Sequence, residues 1–225
     1  LRETLANPRY LRFLFSDLVY WVGITIVETG LYYYVTVLLG KPEGFGMVVI
    51  GVMLGSSFLF YPVVNVLARR MSKKTLIQAG FLAYGLVFSL ITVLGWLPLP
   101  DTAQLVGVGL LAGPAAAVLG ILPNLVVADL AQLDAARRGE NREGMFFATR
   151  TTFMKLGFTL AFLLFNAMIV FGKEPGDDWG VRLTGLLGAL LFVGAWAVFR
   201  RYPEAAVQQE LGQLPQHQEQ DVRGG

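Results

Sequence analysis

Six apolar windows run through this chain, roughly 10–39, 45–67, 75–97, 103–129, 145–171 and 179–199, and each is long enough to cross a hydrocarbon layer about 30 Å thick. Hydrocarbon offers no water to backbone N–H and C=O groups, so such segments must satisfy their own hydrogen bonds as helices. The expected fold class is therefore all-α and integral to a membrane, a six-transmembrane-helix bundle with the lipid bilayer as its solvent. Composition agrees, since charged residues make up 15% of the chain against about a quarter in soluble domains. The formal net charge is only +2 and the basic residues lie between spans, so no nucleic acid is expected as a partner. The chain has no cysteine, which excludes disulfides, thiolate metal sites and cysteine catalysis. No nucleophile with a base, phosphate-cradling glycine loop or metal-ligand cluster stands out, so neither an enzyme nor a cofactor is expected. The chain starts at Leu1 without the ordered parts of a signal peptide and is expected to be the later part of something longer.

Six spans put both ends on one side. Basic residues sort sharply between loops, with Lys41, Lys173 and Arg182 on one side and Arg9, Arg12, Arg69, Arg70, Lys73, Lys74, Arg137, Arg138, Arg142, Arg150, Arg200 and Arg201 among those on the other. The positive-inside rule then places both termini in the cytoplasm; the membrane is expected to be the inner or plasma membrane of a bacterium. Short turn-rich outer loops at 40–44, 98–101 and 172–178 predict that consecutive helices are antiparallel neighbours. The bundle is expected to cover 1–202, followed by a partly disordered cytoplasmic tail over 203–225 with a short surface helix at 203–214. The lone histidine, His217 in that tail, is assigned no role. Most interfacial aromatics, among them Tyr10, Tyr20, Trp96, Trp179 and Tyr202, are expected to anchor at headgroups. The run Tyr32-Tyr33-Tyr34 is the exception, because three successive residues of a helix point three ways. Gly113-Pro114 and Leu122-Pro123-Asn124 are expected to bend or break the fourth helix. The freed carbonyls would then line a cavity, or the prolines are simply those common in membrane helices. Small residues such as Gly109, Gly113, Gly185 and Gly188 are read as helix-packing positions.

Four ionisable residues fall within or at the edge of the spans: Asp17, Glu28, Asp129 and Lys155. Lys155 is about 15 Å into its window, near mid-membrane, where a charge costs on the order of 3 kcal/mol and is usually paired or faces water. By depth it lies between Asp17 and Glu28 and reaches neither, so a partner outside these helices is as eligible as one inside. Asp17 is read either as reaching water at the inner interface or as functional, and Glu28 lies deeper. Asp129 is expected to pair with the basic segment after it. The loop 130–144 alternates charge and predicts a short interfacial helix carrying Arg137, Arg138 and Arg142.

Ala128-Asp129, Asp134, Arg137, Gly139, Arg142, Glu143-Gly144 and Lys155, with Asn7-Pro8 and the tyrosine run leading into 35–40, resemble the later half of the glycoside, pentoside and hexuronide to cation symporters. This family of the major facilitator superfamily is typified by the melibiose permease. The likeness covers essentially the whole chain, as family helices seven to twelve. Gln132, Arg138 and Asn141 depart from it, standing where the family has an acid, a threonine and an arginine. The resemblance implies half of a major facilitator fold, working by alternating access in sodium- or proton-coupled symport of a sugar or glycoside. It implies that Lys155 faces a central cavity, that Tyr32, Tyr33, Glu28 and Asn166 line the solute and cation pathway, and that Asp129, Asp134, Arg137, Arg142 and Glu143 belong to the cytoplasmic gate. The cation ligands would sit mainly in an N-terminal six-helix half or a second chain. A lysophospholipid-type carrier and a non-transporting scaffold or half-subunit are the alternatives. A glycoside site needs stacked aromatics and polar pairs, a lipid site a lateral apolar opening, and a scaffold would satisfy Lys155 internally.

Overall fold

A computed structural model describes residues 6–214; the sequence reading of His217 and of the end of the tail lies outside these described residues. Among them are seven helices: α1 (Pro8–Tyr33), running on through a π-helical turn (Tyr34–Leu38), α2 (Phe45–Arg70), α3 (Lys73–Thr92), α4 (Asp101–Arg138), α5 (Glu143–Ile169), α6 (Trp179–Phe199) and α7 (Glu204–Gly212). The first six are long and apolar enough to span a membrane. Local chemistry sets several ends. Asn7 Oδ1 accepts from the backbone N–H groups of Arg9 (3.0 Å) and Tyr10 (3.3 Å) ahead of α1, with Pro8 pre-set at the first helical position. Ser72 Oγ accepts from Thr75 N (3.1 Å) ahead of α3. Gly139 closes α4 at φ 74°, a left-handed conformation that a side chain disfavours.

Of the consecutive helices only α3 and α4, joined at 98–101, are principal neighbours; α5 and α6 meet less extensively, and α1 does not pack extensively on α2, contrary to the expectation from loop length. The most extensive contacts are α2 with α4, α3 with α6, α1 with α6, α1 with α5 and α3 with α4. Exchanging α1–α3 for α4–α6 maps this pattern onto itself: α2 on α4 becomes α5 on α1, and α1 on α6 becomes α4 on α3. The unit is thus organised as two three-helix repeats with their middle helices swapped, although no repeat is visible residue by residue. α2 and α5 lie at the outside and stay largely exposed.

The fourth helix is unbroken. Pro114 removes the donor that the Leu110 carbonyl would use, and Ser56 Oγ of α2 donates to that carbonyl instead at 3.0 Å, a side-chain repair of the kind that lets proline stay in a membrane helix. α4 also absorbs the first part of the supposed interfacial segment, continuing to Arg138, so 130–138 is not a separate helix. The aromatic expectation fails for Tyr10, Tyr20 and Tyr202, which are buried in the bundle, as is Tyr34 of the excepted tyrosine run. Protein acceptors explain two of them, since Tyr10 Oη donates to the Phe146 carbonyl (2.6 Å) and Tyr34 Oη shares a hydrogen bond with Thr184 Oγ1 (2.8 Å). At the end opposite the termini, Arg182 lies inside α6, 3% exposed. It pairs with Asp178 (2.9 and 3.2 Å), donates to the carbonyls of Thr92 (2.8 Å) and Leu94 (3.0 Å), and stacks 3.9 Å from the Trp96 ring centroid. A residue read as topological thus ties α6 to the carbonyl end of α3.

Candidate functional site

α5 carries the candidate solute face. Thr152, Lys155, Thr159 and Asn166 are all exposed, and their spacing puts them on one stripe of a helix whose other exposed residues include Leu156, Leu160, Phe162 and Leu163. The threonines and Asn166 satisfy themselves by donating to carbonyls four residues back: Thr152 to Ala148 (3.0 Å), Thr159 to Lys155 (3.2 Å) and Asn166 to Phe162 (2.8 Å). A bond to a carbonyl would leave an ammonium's charge uncompensated, and no described side chain pairs with Lys155. Neither Asp17 nor Glu28 forms an ion pair with it. Tyr33 is half-buried with its ring 5.7 Å from Phe165 of α5, and its neighbour Tyr32 is 53% exposed.

One buried ion pair was missed by the sequence reading. Asp17, 4% exposed, accepts from Arg150 Nε (2.8 Å) and Nη2 (2.9 Å), and from Trp21 Nε1 (3.2 Å). Arg150 Nη1 also donates to Asn124 Oδ1 at 2.5 Å. This network joins α1, α4 and α5, and Asp17 does not reach water. The signal was available. Arg150 sorts by charge with the inner-loop residues, yet it lies seven residues into α5, about 10 Å, close to the depth of Asp17 in α1. A cavity of about 310 Å³ lies beside it, lined by Tyr20, Trp21, Asn124, Arg150, Thr151 and Met154 among others. Indole, phenol, amide, guanidinium and hydroxyl together offer a stacking surface and polar groups, which suits a polyhydroxylated solute.

Glu28 lies elsewhere. It lines a second cavity of about 440 Å³ between α1, α2, α3 and α4, walled largely by aliphatic and aromatic side chains.

The expected gate residues gather at the end holding both termini. Asp129 does not pair with the basic segment after it. Lys73 Nζ, 56 residues away in sequence, donates to it at 2.6 Å, and Gln208 Nε2 of α7 at 2.9 Å. Asp134 takes Arg138 (3.1 Å) and Arg142 (3.9 Å). Arg137 pairs with Glu210 of α7, which also takes Arg9 of α1 at 2.7 Å. Glu204 accepts from the Lys74 backbone N–H (3.1 Å), and Lys74 Nζ donates to the Tyr202 carbonyl (2.7 Å). Glu143 opens α5 exposed, its backbone N–H donated to Asn141 Oδ1 at 3.1 Å. The tail helix is therefore a strap over the ends of α1, α3 and α4. The hydrogen bond from Arg9, then its charge and that of Arg137, hold the Glu210 carboxyl below its usual 4.5. A depressed folded value means the strap's stabilisation is present above pH 4.5 and is lost as pH falls through the lower folded value. A spin label at Gln213 is accordingly expected to be immobile at neutral pH and to gain mobility below pH 4.5. In Glu210→Gln it should be mobile already at neutral pH, and an immobile label there would refute the strap.

No group of three or more His, Cys, Asp or Glu converges as a metal site among the described residues. No solved structure matches the chain significantly. A protein described as an uncharacterized symporter of Synechocystis sp. is 23% identical over 201 residues, covering 87% of this chain and 36% of the relative. The chain thus spans little more than a third of the length of the curated relative it matches. Residues 1–203 match the family described as MFS/sugar transport protein, and the six spanning helices fit half of that fold. A match across nearly all the described residues places the chain in that family: it belongs to the MFS/sugar transport proteins, which are membrane transporters and not enzymes.

Proposed function

We propose that these six helices form the C-terminal half of a cation-coupled symporter for a sugar or glycoside, with both termini cytoplasmic. The observation that carries this reading is Lys155, an unpaired cation on an exposed polar stripe in an otherwise apolar helix. A free-standing scaffold would have no reason to retain a charge at that cost. A transporter half would present it to a water-filled cavity shared with a second six-helix unit, where solute and cation meet and two units rock around them. The cavity lined by Trp21, Tyr20, Asn124 and Arg150 supplies the stacking surface and polar groups a glycoside needs. The ion pairs of Asp129, Asp134 and Arg137 would serve as contacts that hold or release the cytoplasmic end.

The test is uptake of labelled sugars into vesicles under sodium or proton gradients, with this chain alone and with a supplied N-terminal half. Gradient-driven uptake is expected only with the added half. Lys155→Ala should reduce it about tenfold or more, the scale of one lost charged contact, with insertion unchanged. Undiminished uptake by Lys155→Ala would remove Lys155 from the coupled site. The apolar walls of the Glu28 cavity favour a second reading, carriage of an amphipathic lipid. Lysophospholipid uptake without sugar uptake in the same vesicles would decide for it.

A further inference from the structure

The two acids of α1 have opposite surroundings. Asp17 holds a guanidinium on both its oxygens and an indole N–H besides, so its charge is compensated in place. Glu28 has neither a hydrogen bond nor an ion pair among the described residues, and it is exposed where it lines its cavity. It stands ten residues, about 15 Å along the helix, from the end of the span at Leu38, well inside a layer about 30 Å thick.

The cavity it lines contains no second acid and no base. α1 contributes Tyr20 and Tyr34, α3 contributes Tyr84, and the lining from α2 and α4 has no titratable group. Of those hydroxyls, Tyr34 Oη is engaged with Thr184. The charged groups on the two other helices packed against α1 are accounted for. On α5, Arg150 is committed to Asp17, and Lys155 is outside the cavity lining. On α6, Arg182 is committed to Asp178 and to two backbone carbonyls.

An ionised carboxylate with no counter-charge among the described residues is disfavoured at this depth, and taking up a proton removes the charge. Sodium would not do the same. A hard cation is held by a shell of several oxygen ligands, and this cavity presents one carboxylate against apolar walls. We propose that Glu28 is a proton-binding site within the membrane, so that this six-helix unit itself carries a coupling proton. The step is a protonation only: the carboxylate takes H⁺ from one aqueous side and returns it to the other when the cavity turns. The role in coupling rests on the symport reading above, whereas proton binding rests on the cavity alone.

Two measurements separate those parts. In lipid nanodiscs, infrared difference spectra of this chain across a pH series are expected to show a deuterium-sensitive protonated-carboxyl band. Glu28→Gln should abolish the band, and Glu28→Asp should retain it with a moved midpoint, which also shows that the site tolerates substitution. A band absent from the wild type across the series, or unchanged in Glu28→Gln, overturns proton binding. In vesicles with the supplied N-terminal half, Glu28→Gln should lose proton-driven accumulation, and Glu28→Asp should retain it with a shifted pH dependence. Accumulation that persists, or that sodium alone drives in the wild type, overturns the coupling role. Wild-type protein that moves no sugar under any gradient refutes the symport reading and with it the coupling role, while the infrared result still decides the proton site.

Discussion

Asp17→Ala is expected to destabilise the bundle by about 3 kcal/mol or more, the cost of leaving one member of a buried ion pair uncompensated. Both oxygens of Asp17 are occupied by Arg150 at 2.8 and 2.9 Å, and the side chains are only 4% and 11% exposed. Removing the carboxylate leaves the guanidinium with Asn124 as its remaining partner, against the Phe13 ring 5.7 Å away. Arg150→Met should cost a similar amount by stranding the carboxylate. Asp17→Leu combined with Arg150→Met should recover most of the loss, because the apolar pair leaves no buried charge behind. Unfolding of the wild type, Asp17→Leu, Arg150→Met and the double variant in detergent, followed by helicity, measures the cycle. Single substitutions that each cost under about 1 kcal/mol would class the pair with solvated surface bridges and remove it as the tie between α1 and α5.

The same pair shows how far the sequence could be read. Spans were legible because hydrocarbon tolerates little else, and Asn7-Pro8 and Ser72 announce two helix starts through their capping chemistry. Helix ends were less legible, because an apolar window stops at the first charges whereas α4 continues nine residues beyond Asp129. The stop is set by Gly139, not by polarity. Depth along a helix is also readable, and it correctly kept Lys155 from Asp17 and Glu28. Applied to Arg150, it would have found the ion pair. Lateral pairing was not legible. Nothing local tells Asp129 to choose Lys73 over the nearer Arg137, since the choice depends on how α3 and α7 close over the end of α4. The swapped middle helices were hidden for the same reason, being a property of packing that residue-level similarity does not carry.

Gly113→Leu is expected to cost about 3 kcal/mol or more, by forcing apart the most extensive helix contact in the unit. A Cβ at Gly113 would overlap the Ser56 side chain and stand 2.8 Å from the Ser57 backbone nitrogen, and one at Gly109 would stand 3.0 Å from the Val49 carbonyl oxygen. Backbones approach this closely only where both helices present small residues. Overpacking alone costs about 1–3 kcal/mol. Separation has a second consequence, because Ser56 is the donor to the carbonyl that Pro114 leaves open, and a carbonyl orphaned in a dry interface costs about 1–3 kcal/mol more. Ser56→Ala, which loses that hydrogen bond without moving the helices, should cost about 1 kcal/mol. Gly107→Leu supplies the control: nothing lies within 4 Å of a Cβ there, so a change of the same size on the same helix should be close to neutral. Denaturant unfolding in detergent should therefore order the variants Gly107→Leu, Ser56→Ala, Gly113→Leu by increasing loss. Equal losses for the two leucine variants would mean that α2 and α4 do not meet at Gly113, and that the proline in α4 is tolerated for some reason other than the hydroxyl of Ser56.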